Sequence, residues 1–206
     1  MKILSWFLAT ILFINIGANS QAPKAKLLHD PGIYLGGYWS KTNNLNLIPQ
    51  VWFYAGDFYI ESRYNYEDEN TFSVHLGKPV EIDELRMEVT PTVGLVFGNF
   101  KGYSIGLNAE NSTPHLSAFA ENEYCFSPTN TNFFFSWAGF TTPVVKNLAA
   151  GASWQYTLEP FSSVIDIGPM ISYKKKRFGL ELYSYNPWKA NKYWQFGLSF
   201  DFASTE

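Results

Sequence analysis

Cysteine is nearly absent from this 206-residue chain: Cys125 is the only one. No disulfide can close within the chain, so a small disulfide-stapled secreted fold is excluded. Charge is also sparse, at 16% of residues, and the basic run Lys174–Arg177 reads as a solvated turn. The basic patch expected of a nucleic-acid partner is missing, and the formal net charge is −3. No Cys/His metal cluster, phosphate-binding loop or G-x-S-x-G turn occurs. The sequence therefore names no cofactor, metal or catalytic group. Long apolar runs are lacking beyond the first twenty residues, and the mean hydropathy is −0.13. If the chain spans a membrane, it must do so with strands that close on themselves.

The N-terminus has its own signature. Lys2 precedes an apolar stretch from Ile3 to Ile16, and Ala18 and Ser20 are small residues placed for a cut before Gln21. This predicts a secretory signal peptide over 1–20 and a single domain over 21–206. Losing Lys2 with the leader moves the formal net charge to −4.

Aromatics are abundant, at 18% of residues, and they occur in alternating runs. In a strand, successive side chains point to opposite faces. "YWQFGLSFDF" sets Trp194, Phe196, Leu198, Phe200 and Phe202 against Tyr193, Gln195, Gly197, Ser199 and Asp201. "LAAGASWQYTL" and "GYSIGLNAE" split in the same way. About twelve such runs are separated by turn-forming stretches such as "KTNN", "EDEN" and "SPTN". They lie near 32–41, 45–55, 57–67, 70–78, 84–97, 101–110, 114–126, 131–141, 147–158, 162–174, 177–186 and 192–202.

Alternation alone also fits a soluble barrel. Two features favour a membrane barrel. The polar faces carry Gly, Ser, Thr, Asn and single charges rather than Lys/Glu clusters. The apolar faces place Trp39, Tyr64, Tyr66, Tyr103, Tyr124, Trp154, Tyr156, Tyr173 and Trp194 where aromatic girdles form. The expectation is an all-β, antiparallel, up-and-down transmembrane barrel of about twelve strands in contact with outer-membrane lipid. Phe58, Ile60, Tyr64 and Tyr66 are expected to face lipid, and Glu61, Arg63, Asn65 and Glu67 the lumen.

The last strand carries a further pattern, Gln195 and Gly197 followed by Phe200 and Phe202. It resembles the C-terminal signal read by the assembly machinery of Gram-negative outer-membrane barrels. "ESRYNYED" (61–68) and "TPTVGLVFG" (90–98) resemble a family of small porin-like outer-membrane proteins. The resemblance implies a fold and an outer-membrane location, and it carries no activity.

The expected inner faces are rich in carboxylates. Glu61, Glu88, Glu121 and Glu123, with Arg63 and Arg86, are the residues expected to set lumen charge. Glu67, Glu110, Asp166, Glu181 and Asp201 join them, and Lys174 opposes them. Inner Gly106, Gly151, Ser153, Gly168, Gly197 and Ser199 are expected to leave room for water. The functional expectation is a narrow, cation-preferring porin-like passage. A closed structural barrel is the alternative. A lipid-modifying enzyme is a further one, for which His115 and Ser117 in "TPHLS" offer only a base and a hydroxyl two residues apart.

Overall fold

The computed structural model describes residues 30–40 and 45–202. The leader and its cleavage point lie outside these residues. β1 (Gly32–Ser40), β2 (Asn46–Ala55), β3 (Phe58–Tyr64) and β4 (Thr71–Gly77) run up and down. β5 (Val80–Ile82) is a short piece leading into one turn of 3₁₀ helix at Asp83–Leu85. β6 (Met87–Gly98), β7 (Gly102–Ser112), β8 (Ser117–Phe126) and β9 (Phe133–Val145) follow, then β10 (Leu148–Leu158), β11 (Ser163–Lys175), β12 (Phe178–Tyr185) and β13 (Tyr193–Asp201).

Each strand pairs antiparallel with its neighbours, and β1 pairs with β13 from Gly32↔Asp201 to Ser40↔Tyr193. β4 and β5 lie end to end along β6: Thr71–Gly77 pairs with Thr92–Gly98, and Val80–Ile82 with Met87–Val89. Lys78 and Pro79 separate the two pieces. Together β4 and β5 form one stave, so the sheet closes as a twelve-stave barrel, in which the three-residue β5 pairs with β6 alone among the described strands.

The two faces sort as the alternation predicts. Val93, Leu95, Phe97, Ile105, Ile165, Ile167 and Leu182 stand exposed on the outside. Thr90, Thr92, Ser104, Ser153 and Gln195 are buried within. An apolar exterior around a polar interior is the reverse of a soluble ligand-binding barrel. Such a continuous apolar belt is far larger than an aqueous surface carries. Trp39, Tyr64, Tyr103 and Trp194 are exposed near the far rim, opposite the Gly32–Asp201 end. Phe53, Phe58, Phe178, Phe200 and Phe202 are exposed near the Gly32–Asp201 rim. These are the two aromatic girdles.

Three local expectations are corrected. Asn65 takes φ +58° directly after β3, which breaks the alternation and turns Tyr66 inward rather than toward lipid. Residues 84–86 belong to the turn before β6, not to the strand, and Arg86 there has φ +49°. The inner glycines make room for rings. A side chain at Gly197 would collide with the ring of Tyr34, and one at Gly94 with the ring of His75. At Gly151 and Gly168 the space is taken by the neighbouring strands' backbone.

Candidate functional site

The lumen has two unlike walls. One is a charged network centred on Arg63. Alternation in β3 points Glu61 and Arg63 inward together, and the curl of the barrel brings β8 opposite them. Arg63 Nη2 donates to Glu61 Oε2 at 2.7 Å, and Nη1 donates to Glu123 Oε2 at 3.1 Å. The guanidinium lies 4.3 Å from the centre of the Tyr66 ring. The Tyr66 hydroxyl donates to Glu121 Oε2 at 2.6 Å. Of the six expected lumen residues, Glu61, Arg63, Glu121 and Glu123 thus meet in one network. Glu88 and Arg86 do not join it. Glu88 sits near the other rim, paired across strands with Glu110, and Arg86 occupies the turn before β6.

The network extends to residues that spacing alone did not single out. His75 Nε2 lies 2.9 Å from Glu123 Oε1 and 3.1 Å from Ser104 Oγ. Glu67, from the turn after β3, accepts a hydrogen bond from Ser73 Oγ at 2.6 Å. Its Oε1 is 3.8 Å from His75 Nε2. Burial first, and the Glu123 charge second, hold the Glu67 carboxyl above its ordinary range. His75 is not placed as a catalytic relay. Such a relay needs the carboxylate and the hydroxyl on opposite ring nitrogens, and here Glu123 and Ser104 share Nε2. His115 stands exposed in the turn before β8, and Ser117 is exposed at the start of that strand.

The other wall is an aromatic shelf on β9–β13. Trp137, Met170, Tyr183 and Tyr185 form a buried cluster with Tyr34, Phe119, Phe135 and Tyr193 against it. Trp137 Nε1 lies 3.0 Å from both Ser153 Oγ and Tyr185 OH. Gln155 Nε2 donates to Gln195 Oε1 at 2.8 Å. The shelf narrows the bore from the side facing Arg63. Toward the far rim a hollow of about 360 Å³ remains, lined by Tyr66, Glu67, Phe100, Glu123, Phe135 and Glu159 among others.

Carboxylates run the length of the lumen. Glu88, Glu110, Glu181 and Asp201 lie toward the Gly32–Asp201 rim. Glu61, Glu121 and Glu123 are mid-barrel, and Asp166 and Glu67 lie toward the far rim. Lys174 pairs with Asp201 at 3.3 Å. Among the described residues, Glu110, Glu121 and Glu181 make no ion pair.

This architecture is that of solved porins. The structure of the KdgM porin in complex with disordered oligogalacturonate superposes with a TM-score of 0.63, at 14% identity, over 84% of this chain and 99% of that one. The NanC porin gives a TM-score of 0.60, at 11% identity, over 84% of this chain and 100% of that one. No protein-family model matches the sequence. No curated protein matches it significantly. In fold the chain is a twelve-stranded porin-like barrel of the outer-membrane type. KdgM and NanC are two particular porins that it resembles in shape rather than in sequence.

Proposed function

We propose that the protein is a narrow outer-membrane channel that passes small solutes and prefers cations. The observation that carries this reading is the excess of lumen carboxylates over basic side chains, with Arg63 held between Glu61 and Glu123. An acidic wall in a narrow passage raises the local cation concentration, and rings of Asp or Glu are a common device for cation preference. Glu61 and Glu123 are engaged by Arg63, so the preference falls mainly to Glu110, Glu121 and Glu181. The ligand named with KdgM is an anionic oligosaccharide. The acidic lumen here argues for a different class of solute. Outer-membrane location, maturation at Gln21 and recognition of Gly197, Phe200 and Phe202 by the assembly machinery complete the proposal.

The test is a reversal potential in a salt gradient across a planar bilayer. Wild type is expected to be cation-selective, and Glu110→Gln with Glu121→Gln is expected to lose much of that selectivity. Anion preference, or selectivity unchanged in the double variant, would remove the assignment. A second reading, a closed structural barrel, draws on the packing of Trp137, Tyr183 and Tyr185 across the bore. A silent bilayer from correctly folded protein would favour it.

A further inference from the structure

We propose that Glu67, His75 and Glu123 form a binding site for a transition-metal dication of the zinc class, inside the lumen toward the far rim. One ligand atom from each of the three falls within 4.8 Å of the others. The separations from His75 Nε2 are 2.9 Å to Glu123 and 3.8 Å to Glu67. Ligands about 2.1 Å from a tetrahedral zinc lie roughly 3.4 Å apart. The three tips therefore need to move only on the order of 1 Å to hold an ion at their centre.

Two further observations point to a ligand here. The side chains of Glu67 and His75 are each 1% exposed. Among the described residues, neither Glu67 Oε2 nor His75 Nδ1 has a hydrogen-bond partner. A buried carboxylate oxygen without a donor is costly, and a cation beside it removes that cost. Charge leads to the same conclusion. Glu61, Glu67, Glu121 and Glu123 carry four negative charges against the single positive charge of Arg63. With His75 neutral the cluster holds three surplus negative charges, and one dication offsets two of them.

The donor set selects the class. Imidazole with carboxylates suits zinc and neighbouring transition metals, whereas calcium and magnesium take all-oxygen shells. The supports are also in place. Ser73 Oγ holds Glu67 by Oε1, the oxygen 3.8 Å from His75 Nε2, and leaves Oε2 without a partner. Arg63 holds Glu123 by Oε2 and leaves Oε1 facing His75. Such outer hydrogen bonds orient metal ligands. A bound ion would tie the turn after β3, which supplies Glu67, to the walls formed by β4 and β8. The site does not depend on whether the lumen conducts.

The test is calorimetric titration of zinc chloride into the chelator-stripped full chain in detergent micelles. Folding of each variant is checked by heat-modifiable gel migration. One zinc per chain is expected, with binding at least tenfold weaker in His75→Gln and in Glu67→Gln. His29→Ala with His115→Ala, which removes the other two histidines, is expected to bind as wild type does. Glu67 lies in a turn, so Glu67→Gln keeps the test decisive even if the strand variant fails to fold. The proposal is overturned by no stoichiometric binding, by unchanged affinity in Glu67→Gln, or by loss of binding in the His29/His115 variant. Displacement of zinc by an equal concentration of calcium would overturn the metal class.

Discussion

Replacing Arg63 with Met tests whether the charged network is part of what holds the barrel together. The guanidinium makes two charge-assisted hydrogen bonds, at 2.7 Å to Glu61 and 3.1 Å to Glu123, from a side chain that is 4% exposed. Hydrogen bonds to charged groups contribute about 1.5–3 kcal/mol each. The contact with Tyr66 adds about 0.5–2 kcal/mol. Met retains most of the apolar packing of the stem, so the loss is electrostatic. Removing one partner of a buried ion pair costs about 3–5 kcal/mol, because the remaining charge is left uncompensated. Arg63→Met is expected to fall in that range. The assay is urea unfolding in detergent micelles, followed by tryptophan fluorescence and by gel migration. Arg63→Met combined with Glu61→Gln and Glu123→Gln is expected to regain more than half of the loss, since no stranded carboxylate remains. A loss below about 1 kcal/mol would place these charges in the weak, water-screened regime and refute a buried network. Failure of the triple variant to recover would show that shape, not charge, sets the cost.

Leu95 is 58% exposed on the outer face and Thr92 is 7% exposed within. Leu95→Arg is therefore expected to assemble less well than Thr92→Arg in a membrane-insertion assay, at a cost below the roughly 2–4 kcal/mol of the bilayer midplane because Leu95 pairs with Tyr103 of the far girdle; equal yields would overturn the assigned faces. Tyr183→Ala with Tyr185→Ala removes two rings of the aromatic shelf. It is expected to raise single-channel conductance several-fold, and unchanged conductance would show that the bore is limited elsewhere.

Much of the wall could be read from sequence because strand alternation is a local signal. β13, β10 and β7 sort their side chains as the pattern of Trp194 to Phe202, Leu148 to Leu158 and Tyr103 to Glu110 requires. The misreadings have local causes too. Tyr66 continues an alternating run on paper, yet Asn65 is left-handed, and the run of turn residues after it was the available sign. Arg86 looks like a strand residue two positions from Glu88, but it closes a turn. The lumen was less legible than the wall. Gly197 reads as vacant space, whereas the Tyr34 ring lies across it. The cluster of Glu67, His75 and Glu123 spans 56 positions of sequence. Only closure of the sheet and its curvature bring those positions together, and neither leaves a trace in residue spacing.

The unequal height of the wall has a mechanical consequence. β3 and β4 are 7 residues each, whereas β9 and β11 are 13 each. The vessel has a low lip on one side, and over that lip the 65–70 turn folds into the mouth. A short stave holds its neighbours by fewer rungs, and β3 has six paired positions on either side, so breathing and early hydrogen exchange are expected along it. Arg63 and His75 project from this low side and reach Glu123 on β8. They act as tie-rods across the opening, bracing with side chains a stretch where the backbone ladder is short.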